Sequence, residues 1–391
     1  MVCVPEGMVF VRSIVMSKFV NSVFLVSGTA IGSGLISLPI SAAKLGMRWT
    51  VAITLLAFLV AYKTSCLTVE LMKNRGRPLS IVELSSEISG GIAKSISMSS
   101  LYALSLALLC AYFAGTSSIL GSFFELSPML SALVCIAVFL ALFLTRAQVF
   151  NKLNSGMMFV LLTLIVCVIC TIPVNGNGFN ATPMNCDFAT MMPFLPIIFT
   201  SFGVQNVCPY VAQNMGLDDM KAIKKVFLIG TLIPAIVYVS WIYAVLARVY
   251  VFDNALYIRV LEGNIDVGEL VGSLCNSAYF KFEAVILKLL SLFAILTSAA
   301  GTGVGLITSL KETVLGKSKT LILFVVIGIP TALTLLIPNA FIRILSFGGM
   351  IATTFVIFMP VFLNTKMRKL SISDVLCFIF GMLVVWAELF M

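Results

Sequence analysis

Two stretches of this sequence put backbone groups where a chain in lipid would normally hide them. Gly28-Thr29-Ala30-Ile31-Gly32-Ser33-Gly34 lies in the middle of an apolar segment from about Phe19 to Ala42, and Phe199-Thr200-Ser201-Phe202-Gly203-Val204-Gln205-Asn206 lies in a second, proline-flanked one. A helix in hydrocarbon must satisfy its own N–H and C=O groups, so three glycines at mid-depth are a weakness unless a break is wanted there. Pro39 has no N–H to donate and helps to separate two half-helices in the first segment. A break offers amides at a helix start, such as those of Ser33 and Gly34, which favour anions. It also offers carbonyls at a helix end, such as those of Gly28 and Ile31, which favour cations. A zwitterionic amino acid with a small cation suits such a place, and two interrupted spans in matching halves are the pattern of a transporter site. The plainer alternative is that the glycines only let helices pack closely, as small residues spaced by four often do.

The elements that would hold these groups follow from composition. The chain has 391 residues, of which 60% are hydrophobic and only 10% charged, with a mean hydropathy of +1.11. A soluble domain carries roughly 25% charged residues, so this is a polytopic membrane protein. Segments of about 20 apolar residues fall at 18-42, 49-72, 98-124, 128-145, 156-173, 190-212, 226-250, 281-310, 319-337, 341-363 and 371-390. With the N-terminus inside, 17 Lys and Arg residues fall in inner segments and 6 in outer ones, which makes the N-terminus cytoplasmic and the C-terminus periplasmic. The net charge of +9 is therefore a topology signal, not a nucleic-acid surface.

The expected fold is thus an all-α polytopic membrane protein with 11 transmembrane helices. Spans one to five and six to ten run in opposite orientations, and each set begins on a glycine-interrupted helix. That is a 5+5 inverted repeat with discontinuous helices 1 and 6, plus one extra helix. The expected division is 1-16 as an N-terminal tail, 17-173 as the first repeat, 190-363 as the second and 371-390 as helix 11. Met16-Ser17-Lys18 reads like a start of its own, and no cleavage pattern follows the first span. In the inner loop 73-97, Ser80 and Glu83 form a capping-box pattern for a short helix, and the outer loop 251-280 is long enough for helices of its own. The ten cysteines show no metal-ligand spacing and sit mostly in apolar segments. Cys186 and Cys275 both fall outside, where a disulfide between them is one option.

The stretch Gly28-Thr-Ala-Ile-Gly-Ser-Gly-Leu-Ile-Ser-Leu-Pro39 resembles the first-helix signature of the hydroxy and aromatic amino acid permease family. Thr200-Ser201-Phe202-Gly203, with Asn206 and Pro209, is similar to the same family's sixth-helix pattern. The resemblance covers nearly the whole chain. It implies a leucine-transporter-type fold in a bacterial inner membrane, import of an aromatic amino acid with tyrosine first, and symport driven by a proton gradient. The implied substrate site takes Ala30, Gly32, Ser33 and Gly34 from the first break and Thr200, Ser201, Phe202, Gly203, Gln205 and Asn206 from the second. Phe202 would be an aromatic wall, and Gln205 and Asn206 polar partners for a phenol hydroxyl. By position in the fold relatives, the Tyr112 hydroxyl would meet the substrate carboxylate. Phe293-Ala294-Ile295-Leu296-Thr297-Ser298 resembles a segment that completes a sodium site in the bacterial leucine transporter. That would join the Ala294 carbonyl and the Thr297 and Ser298 hydroxyls to the Gly28 and Ile31 carbonyls, and it keeps a sodium-coupled symporter of other substrate preference as the alternative.

Ionisable residues at membrane depth are functional suspects. Lys63 and Lys288 are the deepest, and a buried lysine could carry a coupling proton, whereas Glu70, Glu283 and Glu388 lie near span ends, within snorkelling reach of an interface. With no histidine in the chain and no G-x-S-x-G elbow, an intramembrane enzyme is left only with a Ser/Lys dyad, a distant alternative. Gly316-Lys317-Ser318 ends like a phosphate loop, but Lys311 stands where the leading glycine belongs, so no nucleotide is expected. No cofactor or metal site is expected either. The expected partners are an aromatic amino acid, a coupling proton or sodium ion and the lipid bilayer.

Overall fold

The computed structural model describes residues 6–144, 160–161, 163–166, 188–262, 265, 267–276, 281–311, 318–337 and 340–390. Most of the expected fifth span, Cys186 and residues 316–317 lie outside the described residues. The described residues are helical, with no strand among them. Among the described residues, eight helices are long and apolar enough to cross a membrane, nine when the bent first helix counts as one span.

Helix α1 (Glu6–Ala42) and α2 (Met47–Arg75) form a hairpin, and α2 ends where Gly76 takes a left-handed turn, φ 72°. The short α3 (Ile81–Ser89) starts on the capping box read in the sequence: Ser80 N donates to Glu83 Oε2 at 2.7 Å, and Glu83 N donates to Ser80 Oγ at 3.2 Å. Next come α4 (Gly91–Phe124) and the apolar α5, described over Pro128–Leu144. The sixth expected span is α6 (Phe194–Ser201) and α7 (Cys208–Met215) with a break between them. Helix α8 (Met220–Phe252) is followed by two short helices, α9 (Asn254–Glu262) and α10 (Val267–Asn276). The chain then runs through α11 (Lys281–Lys311), α12 (Lys319–Leu336), α13 (Ala340–Thr365) and α14 (Ile372–Leu389).

Proline decides where these helices deform. In α12 and α13, π-helical turns at Phe324–Gly328 and Thr354–Phe358 each stand just before a proline, Pro330 and Pro360, whose missing N–H cannot close an α-helical bond. In α1 the same cause gives a different result from the one expected. The helix does not come apart at the glycines; it stays helical from Glu6 to Ala42 and bends by 50° between Lys18–Gly32 and Gly34–Ala42. The bend suffices because neighbouring helices supply donors for the freed carbonyls. Pro39 leaves the Leu35 carbonyl without its i+4 partner, and the Trp241 indole N–H donates to it instead.

Two ends of the bundle can be told apart. At one end Asn214 Nδ2, at the end of α7, donates to Ser22 Oγ (2.9 Å) and to Lys18 O (3.3 Å). There too Glu70 of α2 pairs with Lys224 of α8 (2.7 Å) and with Arg368 beyond α13 (3.3 Å). At the other end α9 and α10 lie across the bundle. Arg259 pairs with Glu269 between them, Lys44 Nζ donates to Glu262 O (3.3 Å), and Gly268 N donates to Ser118 Oγ (2.8 Å). A Cβ on Gly268 would come within 2.4 Å of the Ser118 carbonyl oxygen, so only glycine lets α10 seat on α4.

Candidate functional site

The second break is a true interruption. After Ser201 the chain turns tightly: Phe202 N donates to Phe199 O (3.0 Å), Gly203 N to Thr200 O (3.1 Å) and Val204 N to Phe202 O (2.7 Å). It re-enters helix through a 3₁₀ turn, Gln205–Val207. Gln205 is 2% exposed and serves as the anchor of this break. Its Nε2 donates to Thr68 Oγ1 (2.9 Å), Val356 O (3.2 Å) and Thr64 O (3.4 Å), and its Oε1 accepts from Cys208 Sγ (3.3 Å) and Ser65 Oγ (3.4 Å). The Val356 carbonyl is the one that Pro360 cannot serve, so Gln205 repairs the π-helical turn of α13 as it fixes the break.

The two deformed segments meet at a cavity of about 830 Å³, within the roughly 300–1,000 Å³ usual for small-molecule sites. Helix α1 contributes Asn21, Phe24, Leu25, Gly28, Thr29 and Ala30; α4 contributes Leu101, Tyr102, Leu104, Ser105, Leu108 and Tyr112; α11 contributes Thr297, Ser298, Gly301, Thr302, Gly305 and Leu306. The break and α7 add Thr200, Gly203, Gln205, Asn206, Val207 and Tyr210, and α13 adds Ala352, Phe355 and Val356. These residues lie toward the Lys18–Asn214 end of their helices, so the cavity faces that end, while α9 and α10 cover the other. Among the described lining residues none carries a charge, and the polar groups are backbone, hydroxyl and amide.

The site residues expected from the sequence divide accordingly. Gly28, Ala30, Tyr112, Thr200, Gly203, Gln205, Asn206, Thr297 and Ser298 line the cavity. Ile31, Gly32, Gly34, Ser201, Phe202 and Ala294 lie behind its surface, and Ser33 marks the bend. Phe202 is 0% exposed and turns its ring edge-on to Tyr238, centroids 5.4 Å apart, so it is not a wall of the cavity. Gly32 packs on α11 so tightly that a Cβ there would lie 1.3 Å from Ser298 Oγ and 3.2 Å from the Ala294 carbonyl oxygen. The structure thus brings together the two segments of the expected cation set. The Thr297 hydroxyl donates into its own helix, to Phe293 O (2.8 Å) and Ala294 O (3.2 Å). Lys63 and Lys288 are not on the lining, and the Lys288 ammonium sits 5.0 Å over the Phe123 ring. Glu388, near the end of α14, accepts a hydrogen bond from Ser346 Oγ of α13.

Sequence reasoning missed the aromatic lining, Phe24, Tyr102, Tyr210 and Phe355, and the hydroxyls of Ser105 and Thr302. A signal was there in the helical spacing: 21, 24, 25, 28 on α1; 101, 104, 105, 108, 112 on α4; 297, 298, 301, 302, 305 on α11 each trace one face of a helix. In a span that is apolar all round, this face stands out only by its small and polar residues.

Comparison with known proteins places the chain in a family. The tryptophan/tyrosine permease family model matches residues 16–384. A protein of Haemophilus influenzae called tyrosine-specific transport system 1 is 25% identical over 364 residues, covering 90% of this chain and 89% of its own length. Glutamine transporter 2 of Aliivibrio fischeri is 21% identical over 364 residues, covering 92% and 91%. Among solved structures, a mutant of the manganese transporter of Eremococcus coleocola superposes with a TM-score of 0.58 at 11% identity, covering 100% of this chain and 88% of that one. The last likeness is one of fold.

Proposed function

Given that the chain belongs to the tryptophan/tyrosine permease family, and is an integral membrane protein, we propose that it is a secondary active transporter importing aromatic amino acids, tyrosine first, across a bacterial inner membrane by cation symport. The cavity where the bend of α1 meets the break of α6 and α7 carries this reading. Its wall combines backbone groups at two helix deformations, suited to a zwitterion, with four aromatic rings beyond Tyr112, suited to a ring-bearing side chain. The amides of Gln205 and Asn206, which open the 3₁₀ turn after the break, would receive the carboxylate together with Tyr112. Because charged side chains are absent from the described lining, a substrate with a charged side chain would be desolvated without compensation, which favours neutral amino acids. Gln205 is committed to α2 and α13, so the phenol hydroxyl of tyrosine falls to Ser105, which shares a face of α4 with Tyr112.

The reading takes the 11-helix, 5+5 inverted-repeat topology with the N-terminus cytoplasmic and the C-terminus periplasmic, helix 1 being bent rather than broken. The cavity then faces the cytoplasm, and α9 and α10 close the periplasmic side. Rocking of the helices around the site would open the other side in turn.

For the coupling ion, the family resemblance favours a proton. A second reading, sodium, is favoured by one observation: Gly28, Thr297 and Ser298 share the cavity wall, and the Ala294 carbonyl lies just behind Gly32. Neutral oxygens of this kind suit a small cation and cannot carry a proton at neutral pH. Purified protein in proteoliposomes decides both matters. Uptake of tyrosine, tryptophan, phenylalanine and glutamine is measured under an imposed pH gradient and, separately, an imposed sodium gradient. Saturable aromatic uptake and counterflow driven by one gradient are expected. Uptake indifferent to both gradients would refute symport, and transport of glutamine alone would refute the substrate assignment.

A further inference from the structure

Two side chains of α8 do something at the site wall that neither the cavity nor the family accounts for. Tyr238 and Trp241 stand three residues apart on one face of α8, 0% and 4% exposed, and both turn a polar atom onto a backbone carbonyl of α1. The Tyr238 hydroxyl donates to Ala30 O, just before the bend, and the Trp241 indole N–H donates to Leu35 O, just after it. The Tyr238 hydroxyl is also 3.0 Å from Ser201 O, where α6 stops. Its ring fills the space beside Gly34, where a Cβ would come within 2.8 Å of the ring and of Ser201 Oγ, and Phe202 packs edge-on against it.

The need for these donors follows from the sequence. Leu35 O loses its helical donor to Pro39, and Ala30 O would look for its donor at Gly34, across the bend. An unpaired carbonyl in an apolar interior is costly, so a bend at this point persists only where a neighbour supplies N–H or O–H groups in fixed positions. Fixed donors on one rigid helix also fix the angle between the two parts of α1. We propose that Tyr238 and Trp241 are positioning residues that splint α1 across its bend. Tyr238 in addition joins that bend to the end of α6, so that the two halves of the site wall move as one body with α8. Sliding α1 against α6 would strand the Ala30 and Ser201 carbonyls together.

The test compares Tyr238→Phe and Trp241→Phe in the full-length protein by hydrogen–deuterium exchange with mass-spectrometric readout. Each variant removes one donor and keeps a ring. In Tyr238→Phe, amides of residues 30–36 and 200–206 should both exchange roughly five- to tenfold faster, the size expected for one lost buried hydrogen bond. In Trp241→Phe only the first segment should speed up. Exchange unchanged in Tyr238→Phe, faster in only one of the two segments, or faster uniformly over all helices overturns the proposal. A second arm rests on the transport reading above: Tyr238→Phe should raise the KM for tyrosine about tenfold, with Vmax per folded molecule kept within about threefold. Trp241→Phe, whose carbonyl is off the cavity, should leave KM within about twofold. An equal KM shift in both variants counts against the joining of the bend to α6 by Tyr238. If the unaltered protein takes up no aromatic amino acid, the transport reading falls, and the exchange arm still decides the role of Tyr238.

Discussion

Replacing Gly32 by alanine adds one methyl group at the tightest point between α1 and α11. The new Cβ would lie 1.3 Å from Ser298 Oγ and 2.6 Å from Ser298 Cβ. Rotating the serine about χ1 clears the oxygen but not the carbon. Ordinary carbon–carbon contact is about 3.5–4.0 Å, so α1 and α11 must separate by about 1 Å. Overpacking of this kind costs about 1–3 kcal/mol, partly offset by the roughly 1 kcal/mol that alanine gains over glycine in a helix, so the thermal midpoint should move little. Transport should move more, because the displaced pair carries the candidate cation oxygens. Gly32→Ala is expected to lower gradient-driven uptake at least about tenfold, equivalent to 1.4 kcal/mol. The assay is initial uptake into proteoliposomes for Gly32→Ala, alone and combined with Ser298→Ala and Ser298→Gly. Ser298→Ala removes only the oxygen and should relieve part of the defect; Ser298→Gly removes the Cβ as well and should relieve most of it. Comparing the Gly32→Ala effect in each serine background separates the clash from any role Ser298 has as a ligand. Gly91→Ala, at the start of α4, off the cavity lining and with nothing within 4 Å of its Cβ, is the control and should transport normally. A Gly32→Ala defect of the same size in the Ser298→Gly background would refute the reasoning.

Gly34→Leu, which drives its side chain into Tyr238 and Ser201 Oγ from 2.8 Å, should abolish uptake while the protein still inserts. Gly203→Ala, whose Cβ meets only Thr200 O at 3.1 Å, should keep uptake within about threefold. Gln205→Leu leaves the Val356 carbonyl without a donor and should destabilise the protein by about 2–3 kcal/mol, seen as a lower thermal midpoint of the purified protein. Ser105→Ala should reduce the preference for tyrosine over phenylalanine at least about tenfold in competition uptake, with phenylalanine uptake itself preserved. Cys275 lies on α10, outside the spanning helices, and burial pushes its thiol from 9.0 up to about 11. Its thiolate fraction near pH 8 is then roughly a hundredfold below that of an unburied thiol, so maleimide should label it far more slowly in the native protein than after denaturation.

Much of the fold could be read without coordinates because the bilayer imposes simple rules. Runs of apolar residues mark spans, Ser80 and Glu83 marked the start of α3, and the acidic, half-apolar loop at 251-280 marked the short helices α9 and α10. Glycine and proline clusters also located both deformations. They could not say what form each would take. At Phe202-Gly203-Val204 the chain leaves the helix, whereas at Gly32-Ser33-Gly34 it only bends, with Tyr238 and Trp241 donating to the Ala30 and Leu35 carbonyls on either side from more than 200 residues away. The same holds for Gln205, which a local reading assigns to the substrate and the fold assigns to Thr64, Thr68 and Val356.

What the sequence determined by itself is where the backbone would be short of partners: every proline and glycine at membrane depth declares a missing donor or a missing side chain at a known position. Which distant side chain answers each shortage, and hence which residues remain free to face the cavity, was decided only by the packing of the helices. The reason is physical. A lost hydrogen bond in hydrocarbon must be made good, but the donor that makes it good is selected by proximity in space, and spacing along the chain does not record it.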